Sequence, residues 1–275
     1  MCYSVMVERD IHQHQIDFLG KMVKDSGAYE RFGQRMQIDP KIKVPDEDSR
    51  IFPGYYTSVL VPSDQGDDGI KIRPMRYSAY PPSYMDPRIA KGLSTFNARR
   101  DSLLKRFWSE SFGYHHGIVV IRAFFEWVSV KDLIAAHKIS LSAVKDHFDE
   151  QSKLRRAKWL EKGKSLKSLK PTKTELKDPL DRDVVISFSP EDDKRMLLPV
   201  IFSYSHDGTD SGFAIITDDP RPEILQAGHD RMPICLSQEA ALIWLNSAKK
   251  TPQELNEILG MVEKKHFVHR LPKVS

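Results

Sequence analysis

The spacing of apolar residues changes along the chain, and each change marks an element. From Glu8 to Asp25, Ile11, Phe18, Leu19, Met22 and Val23 recur at mostly helical spacing, predicting an amphipathic helix packed on a sheet. Residues 34–49 keep no period and read as loop. Ile51-Phe52-Pro53-Gly54 is a turn, and Tyr55-Tyr56-Thr57-Ser58-Val59-Leu60-Val61 after it is rich in strand formers. Gly66-Asp67-Asp68-Gly69 predicts a hairpin turn into a second strand, Ile70-Lys71-Ile72-Arg73-Pro74-Met75-Arg76. A helix is expected from Arg99 to Trp108, then a buried strand from Gly117 to Trp127 around the apolar run Ile118-Val119-Val120-Ile121. Val130 to Asp178 is mostly helical in character, with Ile139 to Val144 opening a long polar helix. Asp183 to Phe188, Met196 to Ser205 and Phe213 to Thr217 form a meander, broken by turns at Pro190-Glu191-Asp192-Asp193 and Asp207-Gly208. Two helices close the pattern, the first capped by Ser237. The second opens on Thr251-Pro252-Gln253-Glu254, a capping box with proline in the first turn.

Together these elements describe an α+β fold: mainly antiparallel β-sheets forming a barrel-like core, with peripheral helices. One domain is expected over residues 1–275, with a helical basic insertion at about 130–178. A chain of 275 residues, 40% hydrophobic and 29% charged, can bury a sizeable core. Its two cysteines, Cys2 and Cys235, supply neither a disulfide framework nor C-x-x-C zinc spacing, which predicts a reducing compartment. Cys235, inside Ile234-Cys235-Leu236, reads as a small core residue. No leader-like start and no run of 18 apolar residues occur, so a cytoplasmic, nucleoid-associated protein with no membrane partner is expected.

Charge alters the picture in one place. The net charge is +4, yet residues 151–177 hold ten Lys/Arg against Glu161 and Glu175, so this segment carries +8 and the remainder −4. Arg155, Arg156 and Lys158 belong to it. Such a stretch can neutralise phosphates, or it can be a solvated helix face with a linker.

Chemistry enters at Cys2, directly behind Met1. Trimming of the methionine would expose a 1,2-aminothiol, whose amine (reference pKa about 7.7–8.0) and thiol (about 8.5) are both partly nucleophilic at neutral pH. The amine can form a Schiff base with a carbonyl and the thiol can close it to a thiazolidine. Glu126, between Phe125 and Trp127, has neighbours that raise a carboxyl pKa and suit it to proton transfer. His229, behind Gly228, is of the type that opens a hemiacetal near neutral pH. Asn97 offers an uncharged donor and acceptor, or a helix N-cap. Each residue also has a plain structural reading: a strand end for Glu126 and a turn for His229. His12, His14, His115 and His116 lack cysteine or carboxylate partners at metal-binding spacing, and no cofactor motif is present.

Met1-Cys2, Asn97-Ala98-Arg99, Phe125-Glu126-Trp127 and His229-Asp230-Arg231-Met232-Pro233 occur in the order in which the SOS-response-associated peptidase (SRAP) family carries Met-Cys, Asn-Ala-Arg, Phe-Glu-Trp and His-Asp-Arg-x-Pro. The chain resembles that family over nearly its whole length. The resemblance implies a monomeric sensor of abasic sites in single-stranded DNA, which autoproteolytically exposes Cys2 and crosslinks it to the lesion aldehyde. It implies Cys2 as nucleophile, Asn97 as orienting residue, Glu126 and His229 as proton carriers, and Arg99 on a phosphate. Arg73, Met75, Arg76, Tyr77 and Tyr80 fall in the region that lines the family's DNA face. Two departures stand out. Tyr3-Ser4 replaces the Gly-Arg of many relatives, and the 130–178 interval replaces a short Lys-rich hairpin. A cysteine peptidase acting on other proteins, or a noncovalent DNA-binding module, are the alternatives.

Overall fold

A computed structural model describes residues 3–8, 22–63, 69–86, 92–136 and 139–272. Within these, β1 (Ser4–Val7), β2 (Met22–Lys24), α1 (Ser26–Ile38), β3 (Arg50–Ile51), β4 (Tyr56–Pro62), β5 (Ile70–Tyr77) and β6 (Asn97–Arg99) lead to α2 (Arg106–Phe112). The long strand β7 (His116–Ser129) precedes α3 (Val130–Ala135) and α4 (Leu141–Glu161). Then follow β8 (Asp183–Pro190), β9 (Met196–Tyr204), β10 (Ser211–Asp218), α5 (Pro222–Gln226), β11 (Met232–Pro233), α6 (Gln238–Leu245), α7 (Pro252–Gly260) and β12 (Phe267–Arg270).

Five strands close on themselves. β5 pairs with β4, β4 with β7, β7 with β9 and β9 with β10, all antiparallel, and a parallel β10–β5 pairing completes a mixed barrel. The fold is α+β with a mainly antiparallel sheet. Beyond the barrel, β7 carries a second run of strands in the order β3–β1–β7–β8–β12. One apolar cluster, with Val59, Tyr77, Val119, Phe124, Val200 and Phe213, fills the barrel and continues under this extension. A second, built around Trp108, Ile118, Ala214, Trp244 and Leu259, lies between the barrel wall and α2, α6 and α7. Both C-terminal helices begin as expected. Ser237 accepts from the Ala240 amide, and Thr251 with Glu254 completes the capping box.

The structure departs from the sequence pattern at four places. Most of the helix expected over 8–25 falls on residues 9–21, outside the described residues, while 22–24 form β2, hydrogen-bonded in parallel to the edge of β5. The helix α1, capped by the Asp25 side chain through the Ala28 amide, takes in 34–38 of the stretch expected as loop, while 39–49 is irregular as expected; none of its residues is fully buried, and only Tyr29 and Phe32 lean on the sheet. The expected 99–108 helix is broken: Asn97–Arg99 is extended against β10, a single 3₁₀ turn follows, and the helix starts at Arg106. Asn97 is therefore a strand residue and not a helix cap. Among the described residues of 130–178, only α3 and α4 are α-helical. Gly163 at φ +69° ends α4, and the lysine-rich chain to Asp178 is mostly irregular.

Candidate functional site

Strand β7 aims the candidate carboxylate by a change of phase. Early in the strand Val119 and Ile121 turn to the inner apolar cluster; in the stretch beyond the barrel, paired with β1 and β8, Phe124 and Val128 do. The switch comes from a β-bulge: Met6 of β1 pairs with Ala123, but the next residue, Val7, pairs with Ile121, leaving Arg122 as the extra residue. An extra residue exchanges the two faces of everything beyond it. Glu126 thereby joins Phe124 and Val128 on the apolar side, opposite Ile186 of β8, and is 1% exposed.

His229 meets it there. Its Nε2 lies 3.1 Å from Glu126 Oε2, and its Nδ1 is 2.9 Å from the Arg231 carbonyl oxygen, which orients the ring. Burial raises the Glu126 pKa, opposed by the His229 hydrogen bond and charge and by the Tyr3 backbone amide. The histidine loop approaches closely only because Gly228 precedes it. Gly228 has φ +89°, and a Cβ there would sit 2.9 Å from Val128 Cγ1 and 3.0 Å from Asp132 Cβ.

Asn97 approaches from β6. It pairs with Ile215 of β10, and strand alternation puts Ala98 in the outer cluster and Asn97, 5% exposed, on the inner side with Ile215. The same alternation turns Thr217 inward. Its Oγ1 is buried and has no hydrogen-bond partner, a polar atom that burial alone does not favour. Sequence reasoning passed over Thr217 because a threonine ending the run Phe213 to Thr217 reads as an ordinary strand former.

Cys2 lies outside the described residues. It is one peptide bond from Tyr3, about 3.8 Å from Cα to Cα, and Tyr3 is well anchored. Its amide donates to the Phe125 carbonyl at 3.1 Å, and its ring packs edge-on against Trp127 and Phe52, each with centroids 5.6 Å away. Trp127 is 49% exposed. Thus the Tyr3 ring is wedged between Phe52 and Trp127, and its backbone lies at the strand position next to Glu126.

The expected DNA-contacting residues are scattered. Arg73 is paired with Asp25 at 2.6 Å and helps fix the start of α1, while Arg76 lies over the Tyr80 ring. Met75 and Tyr77 are fully buried and Tyr80 hydrogen-bonds Asp210, so this strand does not present the expected aromatic face. Arg99 is exposed and bonded to Asp101 at the end of β6, two residues past Asn97. Arg155 is tied to Glu175 and to the Lys170 carbonyl, whereas Arg156 and Lys158 are exposed on α4.

A family model described as SOS response associated peptidase (SRAP) matches residues 20–273. The chain belongs to the SRAP family. Membership associates it with the SOS response, and the matched span includes Asn97, Glu126 and His229. The chain is also similar to a crystallised protein from Bordetella bronchiseptica, at 13% identity over 99% of this chain and 100% of that one with a TM-score of 0.57. A second crystallised protein, from Bacteroides thetaiotaomicron, aligns at 14% identity over 94% of this chain and 86% of the other, with a TM-score of 0.56. At such identities these two show a shared fold. No curated protein matches the chain.

Other candidate groups in this SRAP chain serve the fold. His116 is buried between Ser247 and the Phe112 carbonyl, and desolvation pushes its pKa down to about 4. Burial pushes the Cys235 thiol up to about 12, keeping it protonated and inert. His12 and His14 lie outside the described residues. Among the described residues no group of three His, Cys, Asp or Glu could hold a metal, and no helix is long and apolar enough to cross a membrane.

Proposed function

We propose that this SRAP-family protein captures abasic sites in single-stranded DNA by a covalent bond through Cys2. The observation that carries the reading is the buried Glu126–His229 pair, 3.1 Å apart, against the amide of the residue that follows Cys2. The chemistry divides among the groups as follows. His229 moves the proton that opens the lesion's cyclic hemiacetal to its aldehyde. Glu126 takes a proton from the Cys2 ammonium, and the freed amine adds to the aldehyde carbon. Loss of the carbinol hydroxyl as water, with a proton returned by Glu126, gives the imine. The Cys2 thiol adds across that C=N bond and its proton passes to nitrogen, so the net change is one C–N bond, one C–S bond and one water released. A carboxyl pKa raised by burial suits Glu126 to both directions of proton transfer.

Asn97 holds the aldehyde oxygen or the amine, as an uncharged amide can. The chain's first task in this scheme is to free Cys2 of whatever precedes it, using the same thiol. Arg76, Arg99, Arg155, Arg156 and Lys158 supply phosphate contacts, with Arg99 exchanging Asp101 for the strand. The test is a denaturing gel of purified protein incubated with single-stranded DNA bearing one abasic site. A heat-stable shifted band with wild type, absent with Cys2→Ala, supports capture. Equal shifts with both refute it, and DNA-independent turnover of a peptide substrate supports a peptidase instead.

A further inference from the structure

The bulge that turns Glu126 inward leaves the other face of the same sheet open, and that face is basic. Met6 of β1, Ala123 of β7 and Ser187 and Ser189 of β8 form its floor, with side chains short enough to leave a cavity of about 1080 Å³. A second cavity of about 460 Å³ runs beneath α4, lined by His147, Gln151, Trp159 and Val185 of β8. Arg50 and Pro272 line both, so the two form one groove. Counting Arg50 once, nine Lys/Arg and three Asp/Glu border it, and Glu8, Asp192 and Glu175 behind the lining pair with Arg122, Arg195, Lys194, Lys265 and Arg155, which still leaves cations in excess. The insertion supplies one wall. Only Val144, His147 and Phe148 of α4 are buried, so its first turns dock in the core and the rest stands along the sheet edge. Arg270 of β12 supplies the other, its exposed side chain belonging to the residue that pairs with Ser187.

We propose that this groove is a second binding track for undamaged single-stranded DNA, running from the aromatic cluster at Tyr3 and the cavity under α4, past Arg50, along the back of β7 toward Arg195 and Lys265. Arg50 marks the junction. Its guanidinium lies 3.9 Å from the centre of the Phe125 ring and 4.9 Å from that of Phe52, which itself touches Tyr3. A strand leaving the lesion site meets this cation first, then the groove. An excess of guanidinium and ammonium groups over carboxylates selects a polyanion, and the exposed Trp127, whose cross-strand partner Val185 lines the α4 end of the groove with Trp159, adds a stacking surface there that favours a flexible strand with exposed bases over a duplex. The choice of DNA as the polyanion rests on the proposed function; the groove's charge does not.

The test uses full-length protein and oligonucleotides without any abasic site, so it is independent of covalent capture. Fluorescence anisotropy is measured with oligo-dT of about 20 and about 5 nucleotides, bracketing the usual footprint of such tracks. Lys162→Glu combined with Arg270→Glu, one residue from each wall, weakens binding of the long strand by about tenfold or more and brings it close to that of the short one. The neutral pair Lys162→Gln and Arg270→Gln gives a smaller loss in the same direction, and thermal melts confirm that each variant is folded. Unchanged long-strand affinity in folded variants overturns the proposal. So does an equal loss for duplex DNA or polyglutamate, which would make the groove a general acidic-partner surface.

Discussion

Glu126 and His229 face each other with Oε2 and Nε2 3.1 Å apart, and the carboxylate is 1% exposed. The pair is held from both sides: the bulge at Arg122 sets the direction of Glu126, and the left-handed Gly228 sets the approach of His229. Neither side chain is placed by its immediate neighbours in sequence alone.

Burial raises the Glu126 pKa above its unfolded value. A carboxyl shifted in this direction stabilises the fold fully below the unfolded pKa, about 4.3, and that contribution is lost as pH rises through the folded value. Wild type therefore loses stability relative to Glu126→Gln as pH rises from about 4 through that interval, after which the difference levels off. Thermal melts of both proteins across this range check the sign; a difference independent of pH would show that Glu126 is not strained by ionisation.

Proton transfer is the assigned task of both residues, so His229→Ala and Glu126→Gln slow crosslink formation by about 10²–10⁴-fold. Noncovalent affinity for an intact strand changes far less. Time courses on denaturing gels, set beside anisotropy titrations, separate the two effects. Crosslinking at the wild-type rate in both variants would remove the acid/base assignments.

Gly228→Ala places a Cβ against Val128 and Asp132 at a backbone φ of +89°. The expected cost is about 1–3 kcal/mol of stability from overpacking and strain. Displacement of His229 from Glu126 also slows capture, and a Gly228→Ala protein with wild-type stability and rate would contradict the geometry.

A separate network braces the barrel away from the site. The Asp210 carboxylate receives Tyr56, Tyr80 and Arg35, the first at 2.5 Å, and although burial raises its pKa, these three partners hold it below the usual range. Asp210→Ala leaves Arg35 and two phenols without their acceptor and is expected to destabilise by about 3–5 kcal/mol. Denaturant unfolding measures this.

Much of the fold could be read from the chain because its signals are local, runs of strand formers bounded by turn residues: β4, β5, β8, β9 and β10 lie within a residue or two of their expected positions. The capping residues Ser237 and Thr251 marked α6 and α7 for the same reason, their chemistry being local. α1 was missed because its stripe, Tyr29, Phe32 and Met36, is thin and interrupted by Gly33 and charged residues, and it packs only partly on the barrel. The inward turn of Glu126 was not legible either. Ile118-Val119-Val120-Ile121 is apolar on both faces, which hides the phase of β7, and the bulge depends on pairing with β1. Thr217 and the back-face groove likewise arise from strands distant in sequence. The Glu126 and His229 motifs were readable as residues, but their contact was not.

The central claim is that Cys2, through both its amine and its thiol, is the point of attachment. Intact-mass and peptide-mapping mass spectrometry of the protein joined to a short single-stranded oligonucleotide with one abasic site tests it most directly. The account predicts an adduct whose mass equals protein without Met1 plus oligonucleotide minus one water, mapping to the peptide that begins Cys2-Tyr3-Ser4 and resistant to heat without reductive trapping. An adduct on a lysine that survives only after borohydride reduction, or one formed on protein that retains Met1, would contradict it.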